Sequence, residues 1–188
     1  FALSSIRVAA IVGIAGTMAV MFSGDKSGVQ TAEYQPMKLA AMEGLEQGGK
    51  RAPFSIVPGI EVPGMLSVLA THDLDGFVPG INDILDGYTD ESGKVMPSAE
   101  DKIARGKRAI DAFSTYRAMM NESPSVADSA RKVLQENMPY FGYGYLQSRN
   151  DLIPPVSLVY WAFRVMVGLG AFFLLLMTAI LWFECRQT

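Results

Sequence analysis

Residues 152–183 read LIPPVSLVYWAFRVMVGLGAFFLLLMTAILWF, and the only charged side chain among them is Arg164. An apolar helix needs about 20 residues to cross the hydrocarbon core of a bilayer. Tyr160 and Trp161 stand near one end and Trp182 near the other, so a helix would separate them by roughly 33 Å. This separation is typical of the aromatic belts at the two faces of a membrane. The stretch is therefore predicted to be a transmembrane helix.

A second apolar segment lies at the other end of the sequence. Residues 8–24 contain no charged side chain, and Arg7 precedes them. Because this stretch is short for a span, we expect the helix to extend back toward Phe1, with Arg7 snorkelling or facing protein. A buried helix of a soluble protein is the alternative for this segment.

Small residues recur at four-residue spacing in the first segment, at Ala9, Gly13 and Thr17, and Gly168 and Gly170 interrupt the second. Such positions let neighbouring helices approach closely. They favour a larger multi-helix bundle, although Gly and Ala are also common in membrane helices that make no such contact.

The composition places a charged middle between the two apolar ends. The chain has 188 residues, 16 Lys plus Arg, 19 Asp plus Glu and a formal charge of −3, with 49% hydrophobic and 19% charged residues. This is too many charges for a chain wholly in lipid, and the mildly acidic balance argues against nucleic acid as a partner. One Cys and one His exclude a disulfide framework and a multi-histidine metal site built from this chain alone. The sequence opens without a signal-peptide pattern, and we expect it to be an internal piece of a larger protein.

Residues 24–150 carry nearly all the charge and are predicted to fold, with at least three helices and a hairpin. The helix starts are indicated by Pro36 at a first helical position and by the pairs Ser98 with Asp101 and Ser125 with Asp128. The first of these helices is expected over Gln35–Gln47, before Gly48-Gly49, and the last is expected to end before Pro139. Phe54–Val62 is expected to form a short hairpin around Pro58-Gly59.

Two groups in this middle segment are candidates for chemistry. Gly24-Asp25-Lys26-Ser27-Gly28 is predicted to be a turn where the first span leaves the membrane, since these residue types favour turns. Lys38 and Glu43 follow on one helix, about 140° apart around its axis, and are therefore not an ion pair of adjacent turns. A site that used both residues would have to lie across the helix, or the helix would have to be distorted. The alternative to such a site is that both residues belong to a solvated face of the helix.

Arg164 and Met166 are candidates inside the second span. A buried charge in a membrane helix is costly unless it is paired or lies near the interface; Arg164 is one turn from Trp161, so snorkelling is the alternative to a paired role. The thioether of Met166 is a soft ligand that can occupy an axial position on haem iron, although Met ordinarily fills a core. Two residues apart on a helix, the two side chains are predicted to point to nearly opposite sides.

Taken in order, these residues resemble subunit I of the cytochrome bd family of quinol oxidases. The resemblance is carried by Gly24-Asp25-Lys26-Ser27-Gly28, Gln35-Pro-Met-Lys38-Leu-Ala-Ala-Met-Glu43, Gly142-Tyr143-Gly144 and Phe163-Arg164-Val-Met166. In that family a Gly-Asp-x-Ser-Gly element ends a transmembrane helix, and a Gln-x-x-Lys-Leu-Ala-Ala-x-Glu helix begins the extracytoplasmic quinol loop. The resemblance covers the whole chain.

The resemblance implies site roles. Lys38 and Glu43 would serve quinol binding and oxidation, with Gln35 close by, and our hypothesis makes Glu43 the proton acceptor and Lys38 a hydrogen-bond donor to a quinol oxygen. Met166 would be one axial ligand of the low-spin haem b, and Arg164 would support the charge and position of that haem. The histidine ligands of this haem, of the high-spin haem b and of haem d would lie outside these residues, and His72 matches none of them.

The resemblance also implies the architecture, a mainly α membrane-protein fragment within a larger multi-helix bundle. We expect transmembrane helices at 1–23 and 152–184, an extracytoplasmic quinol-binding loop region at 24–151 and a cytoplasmic end at 185–188. The expected partners are the remaining helices of the subunit, cytochrome bd subunit II, quinol and the lipid of a bacterial inner membrane.

The complete complex would pass electrons from quinol through the haems to O2, forming water and releasing protons outside the membrane. The fragment alone is expected to be inactive. The alternative function is an extracytoplasmic sensor domain between two membrane helices, without a redox role.

Overall fold

The computed structural model describes residues 2–90 and 92–187. Phe1, the expected start of the first span, and Thr188, at the end of the expected cytoplasmic segment, lie outside the described residues. The chain divides into two compact units. The first contains Phe1–Gly44, Lys50–Val78 and Pro155–Thr188, and the second contains Leu45–Gly49 and Pro79–Pro154.

Two long helices dominate the first unit, α1 (Ala2–Tyr34) and α7 (Val156–Gln187). They have 33 and 32 residues, so each is about 50 Å long and exceeds the roughly 30 Å hydrocarbon core of a bilayer. Both are long and apolar enough to cross a membrane. The prediction of a mainly α membrane-protein fragment with such a helix at each end is confirmed.

The two long helices pack as an antiparallel pair. Nε of Arg7 lies 3.0 Å from Oε2 of Glu184, which joins the beginning of α1 to the end of α7. Further along, Gly13 leaves room for Met177, whose sulfur would lie 3.4 Å from a Cβ atom at that position. The small residues of the first segment were predicted to let a neighbouring helix approach closely, and Gly13 does so here.

The predicted turn at Gly24–Gly28 is wrong, because α1 continues through these residues to Tyr34. The hydroxyl of Ser27 donates to the carbonyl of Ser23 at 3.1 Å, and the hydroxyl of Thr31 donates to that of Ser27 at 2.7 Å. These bonds turn the hydroxyls back onto carbonyls of the same helix. No Pro interrupts α1, because the first Pro after the segment is Pro36. Gly28 also passes close to the helix α3 (Met65–Thr71), since a Cβ atom there would lie 3.7 Å from the carbonyl oxygen of Leu69.

The shorter elements of the first unit follow α1. They are α2 (Pro36–Glu43), β2 (Phe54–Val57), β3 (Ile60–Val62), α3 (Met65–Thr71) and β4 (Phe77–Val78), while β1 (Gly49–Lys50) spans the change of unit along the chain. The predicted hairpin is confirmed, with β2 antiparallel to β3 and Phe54 opposite Val62. Pro36 is at the start of α2 as predicted, but the expected continuation of this helix to Gln47 is wrong. Gly44 ends α2 in the left-handed conformation, with φ +64°, which Gly adopts at no steric cost.

The second unit contains α4 (Ile81–Asp86), the hairpin of β5 (Tyr88–Thr89) and β6 (Val95–Met96), α5 (Ala99–Met119) and α6 (Pro124–Asn137), then 3-10 helices at Met138–Tyr145 and Arg149–Leu152. The predicted cap of α5 is confirmed, because the Ser98 hydroxyl accepts a bond from the Asp101 amide at 3.2 Å. The predicted start of α6 at Ser125 is wrong by two residues. Pro124 takes the first helical position and Ser123 precedes it, as the fixed φ of Pro favours.

Two glycines allow α5 to pack tightly against the first 3-10 helix. A Cβ atom on Gly106 would lie 2.3 Å from the backbone nitrogen of Gly144, and one on Gly144 would lie 2.5 Å from the carbonyl carbon of Gly106. The Gly142-Tyr143-Gly144 element of the sequence therefore has a packing reason at Gly144. Gly142 has open space around it.

We predict that Gly106→Ala will destabilise the second unit by about 1–3 kcal/mol or more, because backbone must move to accept the methyl group. The matched control is Gly142→Ala, which meets nothing within 4 Å. Thermal unfolding of the full-length protein carrying each change provides the measurement. Equal midpoints for the two variants would contradict the tight packing.

Candidate functional site

Arg164 of α7 lies at the centre of a buried polar cluster in the first unit. Its Nη2 atom donates to Oε2 of Glu43 at 2.8 Å and to the carbonyl oxygen of Ser55 at 2.6 Å. Its Nη1 atom donates to the carbonyl oxygen of Met42. Arg164 is only 9% exposed and Glu43 only 6% exposed. Of the two alternatives for Arg164, the structure thus shows the paired one and not snorkelling.

Aromatic rings surround the guanidinium group. The ring centre of Tyr160 lies 3.6 Å from Cζ of Arg164, and those of Phe163 and Phe54 lie 5.6 and 5.9 Å away. The negative face of such a ring attracts a cation. The hydroxyls of Tyr160 and Ser55 are 2.8 Å apart, which ties the second turn of α7 to β2.

Glu43 ends α2 with its side chain buried against α7 and β2. The backbone amide of Ser55 donates to Oε2 of Glu43 at 3.3 Å. Burial raises the pKa of the Glu43 carboxyl, and the charge of Arg164 together with bonds from Ser55 and Arg164 offsets only part of that rise. A raised pKa brings a carboxyl closer to the operating pH, where it exchanges a proton most effectively.

An apolar cavity of about 690 Å³ lies beside this cluster. Thioethers and aromatic rings form much of its wall, from Met18, Met21, Met42, Met166, Phe22, Phe54 and Phe163. Two carboxylic residues, Glu43 and Asp25, reach it, together with Ser27 and Thr31 of α1. A largely apolar cavity with a few convergent polar groups is the usual form of a small-molecule site.

The structure brings only some of the predicted site residues together. Glu43 and Arg164 are in contact, and Met166 lines the cavity with 61% of its surface exposed. Arg164 bonds to Glu43, and Glu43 lines the same cavity as Met166; the predicted opposite directions of Arg164 and Met166 stay a prediction. Lys38 of α2 and Gln35, the residue before this helix, are exposed, and no bond joins either side chain to Glu43 within the described residues.

Sequence reasoning missed three contributors to the cluster. Ser55 and Phe54 were read only as hairpin residues, and Tyr160 only as part of an aromatic belt. No local pattern could have revealed Ser55, because its partners Glu43 and Arg164 lie 12 and 109 residues away. Tyr160 carried a weak signal, since it precedes Arg164 by one helical turn.

The donor atoms for a metal are few on this chain. Within residues 2–90 and 92–187, no three or more His, Cys, Asp or Glu side chains are grouped to hold an ion. Met166, which carries one soft sulfur, lines the cavity. Any iron bound there would need its second axial ligand from outside these residues.

Comparisons with known proteins agree over the whole length of the chain. A family model described as cytochrome bd terminal oxidase subunit I matches residues 1–188. The chain is similar to cytochrome bd-II ubiquinol oxidase subunit 1 of Escherichia coli strain K12, with 30% identity over 207 residues that cover 92% of this chain and 37% of that protein. It is also similar to cytochrome bd ubiquinol oxidase subunit 1 of Bacillus subtilis strain 168, with 27% identity over 195 residues, 97% of this chain and 30% of that protein. The chain thus spans about a third of the length of these curated relatives.

We predict that Arg164→Ala will destabilise the full-length protein by about 3–5 kcal/mol, because it leaves the buried carboxyl of Glu43 without its partner. The double variant Glu43→Gln with Arg164→Gln should recover part of that loss. Arg51→Ala is the control, since it removes an exposed ion pair with Asp75 and should leave the midpoint unchanged. Similar midpoints for Arg164→Ala and Arg51→Ala in thermal unfolding would refute the prediction.

The raised pKa of Glu43 predicts a dependence of stability on pH. A carboxyl whose pKa is higher in the folded state stabilises the fold fully at pH below its unfolded pKa, and this contribution is lost as pH rises through the folded pKa. The midpoint of thermal unfolding should therefore fall in the wild type as pH rises from the unfolded pKa of the carboxyl through its folded pKa. The same midpoint should fall less in Glu43→Gln, which has no carboxyl at this position. Parallel curves for the two proteins would show that Glu43 does not titrate with a raised pKa.

Proposed function

The chain belongs to the cytochrome bd terminal oxidase subunit I family, and on that premise we propose that it forms the quinol-oxidising part of such an oxidase. The complete complex would transfer electrons from quinol through haems to O2 and form water. Family membership argues against the alternative of a sensor domain without a redox role.

The observation that carries the proposal is a buried carboxyl with a raised pKa in the wall of an apolar cavity. A quinol is an apolar ring with two hydroxyl groups, and its oxidation releases two protons and two electrons. The thioethers and rings of the cavity suit the ring, while Glu43 supplies a proton acceptor. The cavity lies where Gly24–Gly28 of α1 faces Phe163 and Met166 of α7, at the end of the helix pair from which α2 continues.

Arg164 holds this acceptor in place. The fixed fork of its guanidinium engages Glu43, Ser55 and Met42 at once, so the carboxyl is oriented before a substrate arrives. Lys38 and Gln35 keep the proposed role of quinol binding, from the exposed side of α2. The charge of Arg164 also favours the ionised carboxyl, to which the quinol proton moves.

The residues present fit one side of a haem. Met166 would hold the iron of the low-spin haem b as one axial ligand, because 61% of its surface is exposed and a thioether is a soft ligand for haem iron. Within the described residues the buried Nε of Arg164 has no hydrogen-bond partner, which leaves a donor for an acidic group from outside the chain. A haem with a thioether ligand supplies a one-electron acceptor of raised reduction potential. The high-spin haem b and haem d would be held by the rest of the subunit.

The proposal includes the setting. The oxidase would lie in a bacterial inner membrane beside subunit II, with residues 24–151 on the extracytoplasmic side, where quinol protons would leave. The relative from Escherichia coli is named as a ubiquinol oxidase subunit.

We predict that Glu43→Gln in the complete oxidase will lower O2 uptake with quinol by about 10²–10⁴-fold, the usual contribution of a general base. An artificial donor that bypasses the cavity should support the wild-type rate, because the haems stay intact. The matched control is Glu46→Gln, which makes the same change at an exposed residue three positions on. Wild-type rates for Glu43→Gln with both donors would overturn the proposal.

A further inference from the structure

His72 contacts a residue of the cavity wall. Its Nε2 atom lies 3.4 Å from Oδ2 of Asp25, and the two side chains are 60% and 48% exposed. Asp25 lies on α1 and lines the cavity. His72 ends α3 with φ +58°, and its backbone amide donates to the carbonyl of Val68 at 2.9 Å, so the backbone at the end of α3 presents the imidazole to α1.

The two carboxyls of the cavity wall differ in what they can do with a proton. Glu43 is buried and bonded to Arg164 and Ser55, so a proton that it accepts has no exposed partner there. Asp25 is half-exposed and meets an imidazole that is itself exposed to water. Among the described residues that line the cavity, these two are the only titratable ones.

Neighbouring charges do not compete for His72. Oδ1 of Asp73 accepts a hydrogen bond from the backbone amide of Asp75 at 3.0 Å, and Oδ1 of Asp75 accepts one from Nε of Arg51 at 2.6 Å. On α1, Lys26 is the charged neighbour of Asp25, and α3 itself carries no charged residue. Asp25 is therefore the carboxylate that His72 pairs with.

We infer that Asp25 and His72 form the proton outlet of the quinol cavity, an inference that rests on the proposed function. Oxidation breaks both O–H bonds of the quinol; one proton passes to Glu43 and the other to Asp25, while the two electrons leave one at a time to the oxidising haem of the complex. The proton on Asp25 moves to Nε2 of His72, and His72 releases a proton to water and becomes neutral again. Once Asp25 is ionised again, the proton on Glu43 crosses the shared cavity to Asp25 and leaves by the same route, so both carboxyls return to their starting state. Imidazole suits this step because the neutral ring carries a proton on one nitrogen and can accept another on the second.

The test is His72→Gln in the complete oxidase, since Gln keeps a polar side chain of similar reach but neither gains nor loses a proton at neutral pH. We expect kcat for quinol-driven O2 uptake to fall by about 10²-fold, the lower end of the usual contribution of a positioned proton-transfer group, with KM unchanged because quinol binding is not affected. Added imidazole should restore most of the rate by taking the proton from Asp25. The rate with the artificial donor should not change, which shows that the complex is assembled.

Asp75→Asn is the matched control, because it removes an exposed charge of the same segment that does not touch the cavity. It should keep the wild-type kcat. A wild-type kcat in His72→Gln would refute the proposal that His72 is the proton outlet. A loss of kcat that added imidazole does not restore would also refute it. If Glu43→Gln loses the quinol-driven rate while His72→Gln keeps it, only the role of Asp25 and His72 as proton outlet is refuted. If Glu43→Gln keeps the quinol-driven rate, the proposed function itself is refuted.

Discussion

The buried pair of Arg164 and Glu43 is the interaction on which the first unit depends. Taking two charges out of water costs several kcal/mol for each ion, and their attraction repays this only with good geometry and further hydrogen bonds. Here the carbonyls of Met42 and Ser55 and the ring of Tyr160 supply those further contacts. Met42 is in the last turn of α2, the negative end of that helix, where a cation is favoured.

The same pair joins packing to chemistry. It ties α7 to α2 and to the β2–β3 hairpin, and it places a carboxyl of raised pKa beside an apolar cavity. A cavity lined by thioethers and rings can accept an apolar ring, whereas the carboxyls of Glu43 and Asp25 offer places for its protons. Met166 of α7 also lines that cavity, and its thioether is a soft ligand suited to haem iron. Proton acceptors and a candidate iron ligand thus belong to one cavity wall.

Much of the fold could be predicted from local sequence, since an apolar run, Pro36 and the Ser98 cap each act on a few neighbouring residues. The predicted turn at Gly24–Gly28 failed because glycines permit a turn without requiring one, and packing against α3 favours the helix. The partner of Arg164 could not be predicted from spacing, because Glu43 lies 121 residues away. The family resemblance named both residues, but it gave no contact between them and no reason for the exposure of Lys38.

Photolabelling of the complete oxidase with an azido-quinone, followed by peptide mass spectrometry, tests the central claim most directly. If quinol is oxidised in this cavity, the label will attach to peptides that contain residues 18–31 and 163–166, and excess quinol will prevent the attachment. Inactivation of the enzyme with adducts confined to other segments, and none on these two peptides, would contradict the account.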